Sequence, residues 1–301
     1  MNLKKFYATI CATMLISATA LSAETDSPSE VRAQEIDYDM DSGVVQASGN
    51  VFVSHSQKSK SKTAENNVPS EVNADSVDYD MNTGIVTAVG NVHLKYGSDW
   101  ATGGRAMYNV NTEEAYFSGG VKVSRENFQI TCDSLSNDGA GHMQADGNVY
   151  GVQNLPPSQQ YPNGDTRTFT GDHVDYYPDD KKHFVIPGGG KITNSDGNFT
   201  ANHIEGWVDE EYYTGSGSVH IVNPPRELEA GGDRVDYYAR ENGKAVLTGN
   251  AWAIQNNNTM RGNRLTVYLT DDRKPAASPS TRQQTTAVLP HEILTTEPFR
   301  N

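Results

Sequence analysis

The stretch VRAQEIDYDMDSGVVQASGNVFV, residues 31–53, returns as VNADSVDYDMNTGIVTAVGNVHL, residues 72–94, forty-one positions later. A catalytic constellation does its chemistry from one copy, whereas a structural rung gains from being stacked on further rungs, so the repeat points first to architecture. A small residue, an aromatic five positions on and a Gly about eleven positions later recur at Gly103, Tyr108 and Gly119, and in weaker form at Cys132, Asn137 and Gly147. Further copies stand at Gly171, Tyr176 and Gly188, at Ala201, Gly206 and Gly217, and at Gly232, Tyr237 and Gly249; MRGNRLTVYL, 260–269, begins an eighth and stops. Successive Gly anchors at 49, 90, 119, 147, 188, 217 and 249 lie 41, 29, 28, 41, 29 and 32 apart, a unit near 28 residues. The two longest intervals contain SQKSKSKTAENNVPSE and NLPPSQQYPNGDTR, polar stretches that read as inserted loops.

Within a unit, Ile36, Tyr38 and Met40 alternate with Asp37 and Asp39, the period of two that marks a strand. DSG, NTG and ENG between the halves supply residues that take positive φ cheaply, as a tight turn requires. Each unit therefore reads as two strands and a turn, and about fifteen such strands exceed what a flat open sheet carries. The expected fold is all-β, a repetitive layered jellyroll or solenoid with an apolar seam inside. In it, Gly49, Gly90 and Gly147, each followed by Asn-Val, mark the point where a unit bends and Val returns to the interior.

The first residues carry Lys4 and Lys5, then an apolar run, then small residues at Ala20 and Ala23, the layout of a cleaved secretory leader over 1–23 followed by a short linker at 24–30. The run falls short of the ~20 residues of a spanning helix. Ile10, not a small residue, precedes Cys11, which argues against a lipoprotein processing site. Without residues 1–23 the chain keeps 22 basic against 38 acidic residues, a formal charge of −16, which makes nucleic acid a poor partner. Only Cys132 then remains, excluding an internal disulfide and thiolate metal clusters, so no metal or cofactor is expected. Export into a Gram-negative periplasm is the compartment these features suit.

No histidine pair forms an HExxH or comparable ligand pattern. PGGGK at 187–191 lacks the Ser or Thr of a phosphate loop and is flanked by strands. Asp37 and Asp39, or Asp209, Glu210 and Glu211, could serve as glycosidase acids, but Asp recurs beside each Tyr as a solvated strand face would. A carbohydrate-active β-helix enzyme and a pure structural repeat scaffold are the alternatives to a binding protein.

VNADSV (72–77), ASGNVFV (47–53), AVLTGNAWAIQ (245–255) followed by RGNRLTVYL (261–269), and TTAVLP (285–290) resemble the strand signatures of the LptA/OstA-like periplasmic lipopolysaccharide-transport family. The resemblance implies a V-shaped β-jellyroll over 31–270 whose open apolar groove receives the acyl chains of lipopolysaccharide without catalysis. It also implies head-to-tail self-association and partners of similar fold, one anchored in the inner membrane and one in an outer-membrane complex. The residues expected along the groove are Val31, Ile36, Tyr38, Val51, Val53, Val77, Tyr79, Val92, Leu94, Tyr108 and Tyr237. The remainder, 271–301, reads as a flexible polar tail with a possible edge strand. An uncapped first strand and the truncated last unit would supply two complementary edges for end-to-end pairing.

Overall fold

The computed structural model describes residues 29–56, 69–157, 161–240, 243–269 and 294–296. The leader expected at 1–23 lies outside the described residues, as does most of the 271–301 tail. The described chain forms two compact units, Met1–Asp180 and Lys181–Asn301.

The first unit holds β1 (Ser29–Arg32), β2 (Glu35–Asp39), β3 (Val44–Ser56), β4 (Pro69–Asp80), β5 (Ile85–Tyr96), β6 (Asp99–Asn109), β7 (Glu114–Arg125), β8 (Phe128–Asp138), β9 (Met143–Leu155) and β10 (Asp165–Tyr177). β1 and β2 both pair with β3, and from there to β10 each strand pairs antiparallel with the next. The second unit holds β11 (His183–Asn194), β12 (Gly197–Trp207), β13 (Tyr212–Asn223), β14 (Leu228–Tyr238), β15 (Lys244–Gln255), β16 (Asn258–Tyr268) and β17 (Leu294–Thr296), again paired in sequence. No α-helix occurs among the described residues; a single 3-10 turn, Pro224–Arg226, joins β13 to β14. Both inserted loops fall at the same kind of junction, β3 to β4 and β9 to β10, where other strand pairs are joined by tight turns such as Gly97-Ser98 and Asn256-Asn257.

All seven Gly anchors sit at a break in strand register, and each heads two consecutive residues of positive φ, from Gly49 and Asn50 at +80° and +52° to Gly249 and Asn250 at +71° and +48°. Asn tolerates this region better than other side chains and Gly has no Cβ to clash, which is why these residue types recur there. The extra residue is a β-bulge, which bends the strand and resets which side chains face inward. Val51, Val92 and Val149, one position past the bulge, are buried. Asp carboxylates on the preceding strand close the device: Asn91 Nδ2 donates to both Asp75 oxygens at 3.2 and 3.0 Å, Asn148 Nδ2 to Asp133 at 3.0 Å, and Asn250 Nδ2 to Asp233 at 2.9 Å.

The hairpin turns of the first unit are also coupled. Asp39, Asp80 and Asn109 each accept backbone N–H bonds from residues two and three positions on, at 2.9–3.3 Å. Asn82 then reaches back to the Ser42 carbonyl at 2.6 Å and Asn111 to that of Thr83 at 3.1 Å, so each turn is tied to the turn before it. These aspartates belong to turn chemistry as well as to a solvated face.

Candidate functional site

Strict register converts the sequence repeat into rows of side chains running from strand to strand. On the first unit's buried face one row runs Tyr38, Val45, Tyr79, Val86, Tyr108, Ala115. A second runs Ile36, Ala47, Val77, Ala88, Ala106, Phe117, Leu135, Ala145, Val174. Past the bulge a third runs Val31, Val53, Val72, Leu94, Ala101, Val123, Ile130, Gly151, Phe169. Eight of the eleven residues expected along a groove fall in these three rows; Val51 and Val92 lie on the same face beside the bulge.

Their environments differ. Val51, Val53, Tyr79, Val92, Leu94 and Tyr108 are buried, and Tyr79, Val86 and Tyr108 form a packed cluster with Val45, Val77, Met81, Val110 and Ala115 around it. Val31, Ile36 and Tyr38 are 40%, 49% and 41% exposed because β1 and β2 end the stack; Met40 beside them is 80% exposed. Tyr237 lies in the second unit, half-buried, in the row Phe184, Gly206, Tyr213, Tyr237, Ala245, Val267.

A group of which the sequence expectation contains only Tyr237 stands out on the same faces. Phe128 and Phe169 in the first unit, and Phe184, Phe199, Tyr213 and Tyr237 in the second, share a face with buried neighbours yet remain half-buried themselves. Phe128 and Phe169 stack at 6.2 Å and 15°; Phe184 meets Tyr213 at 6.2 Å, and Tyr213 meets Tyr237 at 6.1 Å. Several lie over a glycine on the adjacent strand. A Cβ at Gly151 would come within 2.0 Å of the Phe169 ring, one at Gly206 within 2.4 Å of Phe184, and one at Gly215 within 2.3 Å of Phe199. Each Gly makes room for a ring across the ladder, a pairing that can be found in a sequence only once strand register is known.

The opposite face carries ionisable groups, arranged as strand-to-strand staples. His173 bonds Asp146 through Nδ1 and Asp175 through Nε2 at 3.0 Å, while His142 Nε2 meets the other Asp175 oxygen at 2.8 Å. The bond to Asp146 raises the His173 pKa, burial opposes this, and Asp175 adds to it. Burial pushes Asp175 upward, but bonds from His142, Gln144 and His173 outweigh it and hold the carboxyl below its ordinary range. In the second unit, Tyr212 donates to Asp236 at 2.7 Å; burial and this bond push the phenol up to about 12. No group of three or more His, Cys, Asp or Glu able to hold a metal occurs among the described residues. Cys132 is buried, and its thiol is pushed up to about 11 by burial and then by Asp133 and Asp146.

A family model described as LptA/(LptD N-terminal domain) LPS transport protein matches residues 71–273, from β4 past β16 and through both units. The chain belongs to this family. Its fold is accordingly the family's all-β jellyroll, and as a member of the LptA/LptD N-terminal family it is a noncatalytic protein with a role in lipopolysaccharide transport. Among solved structures it is similar to LptH, the LptA-homologous periplasmic component of the lipopolysaccharide transport device of Pseudomonas aeruginosa. That match has 21% identity and a TM-score of 0.29, and covers 37% of this chain and 76% of that one. No curated protein matches the chain.

Proposed function

We propose that the chain is an exported, periplasmic lipopolysaccharide carrier that keeps acyl chains dry against its inner face and forms part of a protein bridge between the two membranes. The observation that carries this reading is the combination of unbroken apolar rows with rings that are packed from below by glycine and half-open above. An acyl chain crossing water loses about 0.8 kcal/mol per exposed methylene, so a carrier must offer continuous apolar contact rather than one pocket. Rows in register with the strands give such continuity within each unit. Like-folded partners at the two membranes, and other copies of the chain joined end to end, would prolong it.

The test is to purify the mature chain from cells that make lipopolysaccharide and to place a photoactivatable residue at Phe169 or Tyr237. Cross-links to lipid A at these positions, and not at Thr168 or Asp236 on the opposite face, support the carrier. Equal labelling of both faces, or no bound lipid in the purified protein, would leave the scaffold reading in its place.

A further inference from the structure

The second unit ends differently from the way the first begins. β2 pairs with β3, and its whole length is exposed, with Ile36 and Tyr38 open on the inner face. On β16, by contrast, Leu265 and Val267 are 0% and 1% exposed, although β16 is the last long strand. The difference coincides with β17, whose three residues pair antiparallel with β16 as Leu265 with Thr296, Thr266 with Thr295 and Val267 with Leu294. β15 takes the other edge of β16 along its full length. Beyond Leu265–Val267, the outer edge of β16 at 258–264 has no strand partner among the described residues and carries exposed Arg261 and Arg264.

Backbone edges left open template pairing with another strand, and proteins blunt them with charge or cover them. Here both devices act on one strand, the cover over three residues and the cations over the rest. β17 belongs to the same chain as β16, so it competes as an intramolecular partner at a raised effective concentration. A second molecule at micromolar concentration is at a disadvantage unless it first gains a hold elsewhere on the edge. The exposed first strands fit that need, since Glu35 and Asp37 bring acidic side chains toward Arg261 and Arg264, with Ile36 and Tyr38 available to extend the apolar rows, while Glu30 is paired within β1 by Arg32 at 3.0 Å.

We propose that the outer edge of β16 is a strand-acceptor site held closed by the chain's own β17, and that a second copy joins by strand displacement. Its β1 and β2 pair first along 258–264 and then expel Leu294–Thr296. This rests on the end-to-end reading above and adds to it a resident competitor that keeps the edge from pairing indiscriminately.

Sedimentation velocity of the full mature chain over a concentration series tests it, with two variants. Thr295→Pro removes the central donor of β17 without touching β16, and T266C/T295C places thiols on directly opposed residues, where antiparallel geometry suits a disulfide. Cys132 is buried and does not compete for oxidation. The closed-edge site predicts that the Pro variant associates at a midpoint about tenfold or more below the wild type, since freeing the competent state removes its population penalty. It also predicts that the oxidised double-Cys variant stays monomeric until reduced. Equal midpoints for Pro variant and wild type, or failure of the disulfide to form, overturn the cap while end-to-end joining stands. Weaker association of the Pro variant makes β17 a connector and overturns the cap as well. If no form associates at any concentration, the end-to-end reading fails and the cap with it.

Discussion

At the scale of single residues, the Gly anchors answer two different demands, and substitution separates them. Gly147 has φ +72°, and a Cβ there would lie 2.1 Å from the Asp133 carboxylate and 2.8 Å from its Cβ, whereas Gly188, at φ +79°, has open space around it. Gly188→Ala should cost only the left-handed penalty, about 1–2 kcal/mol. Gly147→Ala should cost at least about 1 kcal/mol more, because it also displaces the Asp133 clasp. Urea unfolding of the two variants measures the difference, and equal losses would mean that the clasp is incidental. A second pair distinguishes core from lining. Tyr108→Ala, at a buried site, should destabilise by about 3–5 kcal/mol. Phe169→Ala, at a half-open one, should lose less stability but weaken lipid A binding severalfold in a displacement assay. A Phe169 variant that binds lipid A like the wild type would remove the half-open rings from the site.

At the scale of elements, the bulged hairpin was legible in the sequence because its determinants are local: Gly at a fixed spacing, Asn after it, Val next. Of the half-buried rings only Tyr237 was, through the family resemblance; Phe169 is defined by Gly151 and Phe184 by Gly206 across a ladder, and a periodic template along the chain does not see a partner on another strand. The Asp beside each Tyr reads from the sequence as a solvated face, yet Asp80 also accepts from a backbone N–H two positions on, and the clasp carboxylate of Asp133 meets its partner one strand away. The staple between β9 and β10 shows what such a non-local contact does. His173, raised above its ordinary 6.5, contributes stability that is complete below 6.5 and is lost as pH rises through its folded value. Asp175, held below its ordinary 3.8, contributes stability that is present above 3.8 and lost as pH falls through its lowered value. The staple is therefore strongest between about 4 and 6.5. Hydrogen exchange, corrected for its intrinsic pH dependence, should show β10 amides better protected at pH 6 than at pH 8, and His173→Gln should abolish the difference. A pH difference that survives that substitution would show that His173 is not its source.

At the scale of the whole molecule, charge and apolar surface pull in different directions. Without residues 1–23 the chain carries a charge of −16, which repels a phosphorylated saccharide at long range, so the proposed carrier would draw its affinity for lipopolysaccharide from the inner rows. Raising ionic strength should then change binding only modestly, and isothermal titration at low and high salt checks it. A steep loss of affinity would instead point to cations such as Lys95, Arg105 and Lys122 as headgroup contacts. The fold places the two long loop insertions at strand junctions, outside the rows, which explains how the chain carries them without breaking register. Continuous repetition is the basis for expecting one jellyroll span over 31–270, and the repeat runs through both compact units.

The stacked, register-locked hairpins also turn each unit into a ruler. Adjacent strands are spaced about 4.8 Å apart, so one hairpin is a graduation of about 9.6 Å, and every graduation repeats the same inward pattern. Duplicating or losing a hairpin would change a unit's length in whole steps while leaving its end strands as they were, so tandem duplication within the gene is enough to lengthen the stack. Joining Val89 directly to Gly119 removes one 29-residue step with the anchor phase intact. That shortened chain should still give a β-rich circular dichroism spectrum and a cooperative melt, and an unfolded product would show that the graduations are not interchangeable.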